Sequence, residues 1–208
     1  MAKERILEKA HELFMRYGVR SVSMDDIAAQ LGMSKKTLYQ YYTDKEELVD
    51  AVLGTILQKN RNECVYDRQH AENAIDEVFQ AFEMMQEMFS NMNPAIVFDV
   101  EKYHPSVYKK LQHHKKVFMY QVISQNLERG IREDLYRADL NIEVITRFRI
   151  ESMMLPFNSD AFPNNRTHLV SIQQDILELF LYGLATTKGQ KLIQKYKQQK
   201  FVTNGAKK

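Results

Sequence analysis

Residues 32–48 read GMSKKTLYQYYTDKEEL, and this stretch decides how the N-terminal part of the chain folds. Lysines and tyrosines crowd into it directly after a glycine, which is typical of neither a buried core segment nor a disordered tail. We predict two short helices joined by a tight turn at residues 32–34. Such a pair forms a helix-turn-helix.

The second of these helices has a buried side and a solvent-facing side when it is projected at about 100° per residue. Leu38 points to the core, with Tyr42 beside it. The outward face carries Lys36, Tyr39 and Gln40, the flank carries Thr37, and the borders carry Lys35 and Tyr41. The exposed face therefore presents hydrogen-bond donors, acceptors and a phenol on a rigid rod.

Such a face suits the major groove of DNA, which is about 12 Å wide and admits one helix. A glutamine can bind adenine, a lysine can donate to guanine, and an aromatic edge can contact a thymine methyl group. Lys45 and the free N–H groups at the start of the next helix can hold a phosphate. Composition alone leaves a second interpretation open, a solvated helix whose tyrosines cap a small core.

Cap residues mark the helix boundaries around this motif. A first helix is predicted to end at Gly18, where a glycine cap is typical. Ser23 is predicted to cap the second helix, with Asp26 as its reciprocal partner. Thr43 is predicted to cap the fourth helix, with Glu46 in the same role, and this helix is expected to run to about residue 61.

Beyond residue 62 the apolar residues recur at helical spacing, and no alternating strand pattern stands out. Helices are predicted at 71–92, over a long stretch ending near 130, at 141–156 and at 167–187, and a short apolar piece at 95–103 follows the first of them. The seven lysines of residues 188–208 are interpreted as a solvated, fraying end, with contact to nucleic acid as the alternative. We therefore predict an all-α chain with a three-helix DNA-binding domain at residues 1–49 and a larger helical body at residues 50–208.

The composition fits a soluble globular protein with few turns. The 208 residues include seven glycines, four prolines and one cysteine, Cys64, which excludes an internal disulfide. No apolar run approaches the roughly 20 residues that span a bilayer. The net charge of +2 is too small to indicate by itself that the chain binds nucleic acid. We therefore expect a cytoplasmic protein without a membrane partner.

The order of the N-terminal segments carries a more specific signal than any one of them. Residues 5–49, with ILEKAHELFMRYG, then SMDDIAAQLGMS, then TLYQYYTDKEEL, closely resemble the DNA-binding domain of the TetR family of bacterial transcriptional regulators. The resemblance implies base contacts by Lys36, Tyr39 and Gln40, with Lys35 beside them. It implies phosphate contacts by Ser34, Thr37, Tyr41 and Lys45, with Ser23 capping a helix on the same side. Many members have a small residue where Lys36 stands, so relatives do not reveal the operator.

The resemblance also implies a homodimer on a palindromic operator of double-stranded DNA. Two recognition helices would then lie one DNA turn apart, about 34–36 Å. The last two long helices are the candidate interface, with Leu169, Ile172, Ile176, Leu179, Phe180 and Gly183 as its predicted residues. The competing interpretation places this stripe in the core of a single chain.

A cavity in the body for an unknown small-molecule effector is the third implication of the resemblance. Taken one at a time, the candidate residues are more often core filler than cavity lining, but together they form a flexible apolar candidate lining: Met84, Met85, Met88, Phe89, Phe98, Tyr103, Phe118, Met153 and Met154. Acids that would suit a cationic ligand are Glu83, Glu87, Asp99, Glu101 and Glu151. A largely apolar ligand there is expected to push the fourth helix and to shift the DNA-binding domain of one copy relative to that of the other.

No catalytic motif of the G-x-S-x-G, P-loop, Cys-x-x-Cys or His-Glu-x-x-His type occurs, so neither an enzyme nor a cofactor is predicted. His113 and His114 point about 100° apart on a helix, which disfavours joint metal binding. The leading hypothesis is a ligand-responsive repressor. The alternatives are a ligand-blind or activating regulator and, from another class, a helical small-molecule-binding or enzymatic protein without DNA binding.

Overall fold

The computed structural model describes residues 2–90, 92–163 and 169–200. These ranges form helices and no strand, with one isolated bridge between Tyr136 and Ala185. The α-helices are α1 (Ala2–Tyr17), α2 (Met24–Leu31), α3 (Lys35–Tyr39), α4 (Lys45–His70), α5 (Ala74–Ser90), α6 (Ala95–Tyr103), α7 (Pro105–His114), α8 (Tyr120–Arg132), α9 (Ile142–Met154), α10 (Leu169–Leu184) and α11 (Thr187–Lys200). The all-α prediction is confirmed.

The caps of the first three helices follow the sequence signals. Gly18 and Gly32 end α1 and α2 with φ of +84° and +64°, in the left-handed region that favours glycine. Ser23 and Asp26 form the reciprocal capping box of α2. Ser34 caps α3, its hydroxyl accepting from the N–H of Thr37 at 3.0 Å. These predicted boundaries are confirmed.

The start of α4 differs from the prediction by one residue. Asp44 is the cap, because its carboxylate accepts from the N–H of Glu47 at 2.8 Å. Thr43 donates its N–H and hydroxyl to the Glu47 carboxylate, while Glu46 bonds elsewhere. A free carboxylate at 44 is the stronger cap, so the predicted Thr43–Glu46 pair is wrong. The helix also continues past residue 61 to residue 70, and the domain boundary predicted at residue 49 falls inside it and stays a prediction.

Residues 2–52, called the head, enclose one apolar core. Its fully buried members are Ile6, Ala10, Ile27, Leu38 and Leu48. The rest of the described chain, called the body, helps to close this core, because Val100 of α6 and Val107 of α7 belong to the same cluster. The head therefore rests on α6 and α7 and is not held by α4 alone.

Helices α7 and α8 form one rod, interrupted by a π-helical turn at Lys115–Met119. The sequence predicted a continuous helix here, and periodicity gives no warning of a π turn because one extra residue only shifts the register. The turn brings His114 and Lys115 inward, where both are buried. Such turns are frequent at functional sites, and this one lies beside the cavity described below.

The body has its own core, built by α5, α8, α10 and α11. Phe79, Leu127, Leu177 and Tyr196 are all almost fully buried in it. Helix α11 was not predicted, since the lysines of residues 188–200 were interpreted as a fraying end. Ile193 and Tyr196 point inward while Lys188, Lys191 and Lys195 are exposed, so a few apolar residues at helical spacing anchor the helix. Residues 201–208 of the predicted lysine-rich end lie outside the described residues.

Candidate nucleic-acid interface and ligand cavity

Helix α3 presents the face that the sequence predicts. Leu38 is fully buried and Tyr42 is 2% exposed, so this side is fixed in the core of the head. Lys36, Tyr39 and Gln40 lie on the exposed side, and Tyr41 follows them with 38% of its surface exposed. A short, well-anchored helix thus holds a polar face towards solvent.

The hydroxyl groups around this face serve the helix ends. The hydroxyls of Ser34 and Thr37 lie 2.8 Å apart, and that of Ser23 donates to Asp26 at 2.6 Å. Lys35 bonds the Asp25 carboxylate at 3.0 Å, and this pairing raises the pKa of Lys35. All four residues stay at the surface, so a phosphate would compete with local partners for them.

Lys45 lies half-buried in the first turn of α4. Burial lowers the pKa of Lys45, and the carboxylates of Asp99 and Asp26 oppose that shift. The cap residue Asp44 already occupies one of the N–H groups at this helix end. A phosphate here would therefore depend on the Lys45 ammonium more than on the helix end itself.

Comparison with known proteins agrees with this geometry. Residues 6–52 match the family described as bacterial regulatory proteins, tetR family. The uncharacterized HTH-type transcriptional regulator YvaF of Bacillus subtilis is 32% identical over 103 residues, which is 49% of this chain and 53% of YvaF. The match thus spans about half the length of that relative.

Solved structures extend the likeness to the body. SCO4454, a TetR-family transcriptional regulator from Streptomyces coelicolor, has a TM-score of 0.68 at 18% identity and covers 89% of this chain and 96% of its own. KstR2, a ketosteroid transcriptional regulator of Mycobacterium tuberculosis, has a TM-score of 0.64 at 21% identity, with coverages of 89% and 96%. The N-terminal domain of the chain, residues 6–52, belongs to the TetR family. At these identities the structural neighbours establish the fold alone.

A small cavity of about 90 Å³ lies in the body, between α4, α5, α8, α9 and α10. Of the predicted lining residues, Met84, Met85 and Met153 contribute to its wall. The wall's other members include Asn60, Cys64, Asp67, Glu77, Val78, Phe82, Met119, Val122, Ile123, Asn126, Arg149 and Phe180. The lining is mostly apolar and includes four methionines.

The other predicted lining residues lie outside this cavity wall. They are Met88, Phe89, Phe98, Tyr103, Phe118 and Met154. Phe89 is buried and packs edge-on against Phe157, whereas Phe98 and Tyr103 are on the surface, 54% and 39% exposed. Phe118 lies under the guanidinium of Arg61, 4.7 Å from its ring centre. Residues from α6 were predicted because they are apolar, but α6 faces the head.

None of the five acids proposed for a cationic ligand belongs to the cavity wall. Asp99 faces the head instead and accepts from the N–H of Arg20 at 2.9 Å. Glu151 pairs with Lys115 at 3.4 Å. Asp99 and Glu151 thus each serve a structural contact, and the two acids that do belong to the wall, Asp67 and Glu77, are not among the five predicted.

Arg149 of α9 is the wall residue that the sequence analysis missed. Its side chain is 7% exposed, and its guanidinium carbon lies 5.0 Å from the ring centre of Phe180. Its Nη1 is buried without a hydrogen-bond partner among the described residues. A lone arginine between apolar residues in RFRIES gives no sequence signal, because the same pattern is typical of an exposed helix face.

The predicted dimer residues divide into two groups. Leu169 and Phe180 are buried in the protomer and belong to its own core. Ile172, Ile176, Leu179 and Gly183 recur along one side of α10, where Leu179 is 74% exposed and open space lies in front of Gly183. Phe148 of α9 stacks on Phe180, and the exposed fractions of Phe148 and Val144 are 56% and 58%. We call these six outward residues, Val144, Phe148, Ile172, Ile176, Leu179 and Gly183, the α9–α10 face.

His104 and His114 are held by protein partners. His104 bonds the Glu46 carboxylate, and His114 bonds Asn60 at 2.8 Å through Nε2. Within the described residues, no group of three or more potential metal ligands comes together. The helices of the same ranges also include none with the length and apolar character needed to cross a membrane.

Proposed function

We propose that this chain is a DNA-binding transcriptional regulator, acting as a repressor that a small molecule releases from its operator. The observation that carries the proposal is the exposed polar face of α3, which is anchored by the fully buried Leu38. The match of residues 6–52 to the TetR family supports the same DNA-binding role for the head.

In the proposed complex, α3 lies in the major groove. Lys36, Tyr39 and Gln40 contact base edges, with Lys35 at the margin. Ser23, Ser34, Thr37, Tyr41 and Lys45 hold the phosphates on either side and set the orientation of α3 without reading sequence. The division follows from position, since the first group is on the outer face of α3 and the second surrounds its ends.

The proposed operator is a pseudo-palindrome bound by two copies of the chain. The α9–α10 face supports this proposal, because a cluster of exposed apolar side chains on adjacent helices is typical of an interaction surface. A two-fold dimer through this face would place two copies of α3 for half-sites one DNA turn apart.

Fluorescence anisotropy with the DNA upstream of the chain's own gene tests the proposal. Wild-type protein should bind this DNA in preference to random sequence, with an affinity that falls as salt rises. Gln40→Ala should cost about 1–3 kcal/mol on the preferred site and relax one base position. Lys45→Ala should weaken binding to all sequences alike and reduce the salt slope by about one.

Two exposed residues of α4 serve as matched controls, Gln58→Ala and Lys59→Ala, because both lie far along the helix from Lys45. Neither control should change DNA affinity by the amounts expected above. If wild-type protein shows no sequence preference, the regulator proposal fails. If Gln40→Ala and Lys45→Ala act equally on specific and random DNA, the assignment of base-contacting and phosphate-contacting residues fails.

The proposed effector site is the cavity in the body. Its wall includes Asn60 and Cys64 of α4, the helix that carries Lys45 at its other end. A ligand can release DNA only if it binds the DNA-free conformation more tightly than the DNA-bound one. Displacement of α4 by a ligand would supply that difference, and a tenfold loss of affinity needs only about 1.4 kcal/mol of coupling.

A further inference from the structure

Arg149 differs from the buried charges Glu77 and Lys115 of the body in having no ion-pair partner among the described residues. Glu77 is equally buried but pairs with Arg129 at 3.0 Å, and buried Lys115 pairs with Glu151. No carboxylate of the described residues comes within ion-pair distance of Arg149, and its guanidinium lies over the uncharged ring of Phe180. Burial lowers the pKa of Arg149 to about 10, which leaves it charged at neutral pH.

An unpaired buried charge is costly, and proteins ordinarily compensate one with a counter-ion or a set of hydrogen bonds. Arg149 belongs to the wall of the cavity, and its Nη1 is buried without a partner. The cavity therefore combines an unsatisfied cationic donor with a space next to it. A planar guanidinium matches a carboxylate in particular, because its parallel N–H groups bind both oxygens at once.

The remainder of the wall indicates what the carboxylate would be attached to. The cavity holds about 90 Å³, which is the share of liquid volume of about three waters and is enough for a head group. Methionines surround it, namely Met84, Met85, Met119 and Met153. Their unbranched, flexible side chains can repack around an inserted apolar chain.

Two acidic residues, Asp67 and Glu77, also lie in the wall. The Glu77 charge is offset by Arg129, so it opposes an anion less than an isolated carboxylate would. Asp67 is on α4 and Arg149 is on α9, so two different helices of the cavity wall carry them. These acids set the direction of the ligand, with its charged end at Arg149.

We propose that Arg149 binds the carboxylate of an amphiphilic monoanion whose unbranched apolar tail lies among the methionines of the cavity. This inference rests on the proposed effector site and gives it a ligand class. It replaces the cationic ligand that the sequence suggested. It also predicts that the arginine contributes binding at the expense of stability, which is the reverse of a structural role.

The test uses decanoate with decylamine and decan-1-ol, which share its tail but carry a cationic or neutral head. Thermal unfolding and titration calorimetry would be measured for the full chain, for Arg149→Met, and for Arg147→Met as the matched control. Arg147 lies on the same helix, is exposed, and pairs with Glu143. Decanoate should raise the melting temperature of wild type and of Arg147→Met, while decylamine should not.

In Arg149→Met the affinity for decanoate should fall at least tenfold. The melting temperature of the ligand-free variant should equal or exceed that of wild type, because the change removes a buried unpaired charge and keeps the volume. A structural arginine would give a destabilised variant instead. Failure of decanoate to bind wild type, equal binding of decylamine, or undiminished binding by Arg149→Met would each overturn the proposal.

The outcome is separable from the DNA-binding proposal. Operator binding by the ligand-free protein is measured on its own and does not involve Arg149. Protein that binds decanoate through Arg149 but no DNA would disprove the regulator and leave the carboxylate site standing. Protein that binds its operator but not decanoate would disprove the carboxylate site and leave the regulator proposal standing.

Discussion

Replacement of Leu179 by alanine is the sharpest test of the proposed dimer. Leu179 is 74% exposed in the protomer, so its side chain contributes little to the fold of a single chain. In a two-fold dimer through the α9–α10 face, the same side chain would be buried in both copies. The substitution should therefore weaken association without reducing the stability of the protomer.

The expected magnitude follows from the exposed area. Leu→Ala removes about three methylene equivalents, each worth about 0.8 kcal/mol on burial. Three-quarters of that value is still unrealised in the protomer, which gives roughly 1–2 kcal/mol per copy. Two copies per dimer give roughly 2–4 kcal/mol, or a dissociation constant that rises roughly 30- to 1,000-fold.

Sedimentation velocity over a range of concentrations would measure the dissociation constant, and urea unfolding would measure stability. The matched control is Leu177→Ala, two positions earlier on α10 and 1% exposed. It should cost about 2–5 kcal/mol of folding free energy through loss of core packing. An unchanged dissociation constant for Leu179→Ala would refute the assignment of this face to the dimer.

Further predictions concern stability and pH. A Cβ at Gly189 would overlap the carbonyl of Leu135, so Gly189→Ala should lower the free energy of unfolding by about 1–3 kcal/mol. A Cβ at Gly54 meets open space on a helix, so Gly54→Ala should raise it by about 0.5–1 kcal/mol. Urea unfolding of both variants would measure these changes. Burial lowers the pKa of His114 to about 4, so the unfolded chain takes up its proton first as the pH falls from 6.5 towards 4, and stability is lost in that window. His114→Gln keeps the donor to Asn60 and cannot titrate, so its unfolding free energy should fall less over the same window; an equal fall would exclude this histidine as the cause.

The fold of the head could be predicted almost completely because its signals are local. Ser23, Gly32 and Ser34 each mark a helix end by their own chemistry, and each does so in the structure. The one error, Thr43 for Asp44, concerns two adjacent residues that are both good caps. Sequence cannot rank them, because the choice depends on where Glu46 and Glu47 find partners in three dimensions.

The body was harder to predict because its features depend on packing. Ile193 and Tyr196 anchor α11 among many lysines, and their burial exists only once α5 and α10 are in place. Leu169 and Phe180 share an apolar stripe with Leu179, yet the first two are buried and the third is exposed. Periodicity identifies a stripe on a helix, but not which neighbour covers it.

The candidate sites show the same contrast. The polar face of α3 follows from a helical projection in which Leu38 points to the core. In the structure Leu38 is buried and Tyr39 and Tyr41 are exposed, as this projection requires. The cavity does not follow from composition, since only Met84, Met85 and Met153 of the nine candidates belong to its wall. Arg149 was missed because a buried unpaired charge is recognised from its surroundings and not from its neighbours in the chain.

The position of α4 links the two proposed sites and limits how the switch can work. Lys45 and Asn60 lie 15 residues apart on one helix, about 22 Å at 1.5 Å per residue, so displacement at the cavity reaches the head through a rigid rod. The body also holds the head elsewhere, since Glu46 bonds His104 and Ser106 at the junction of α6 and α7. A movement of α4 alone would break these bonds, whereas a joint movement of α4, α6 and α7 would keep them. The joint movement is the less costly one, and it would carry the head as a unit and change the spacing of two α3 helices without deforming either.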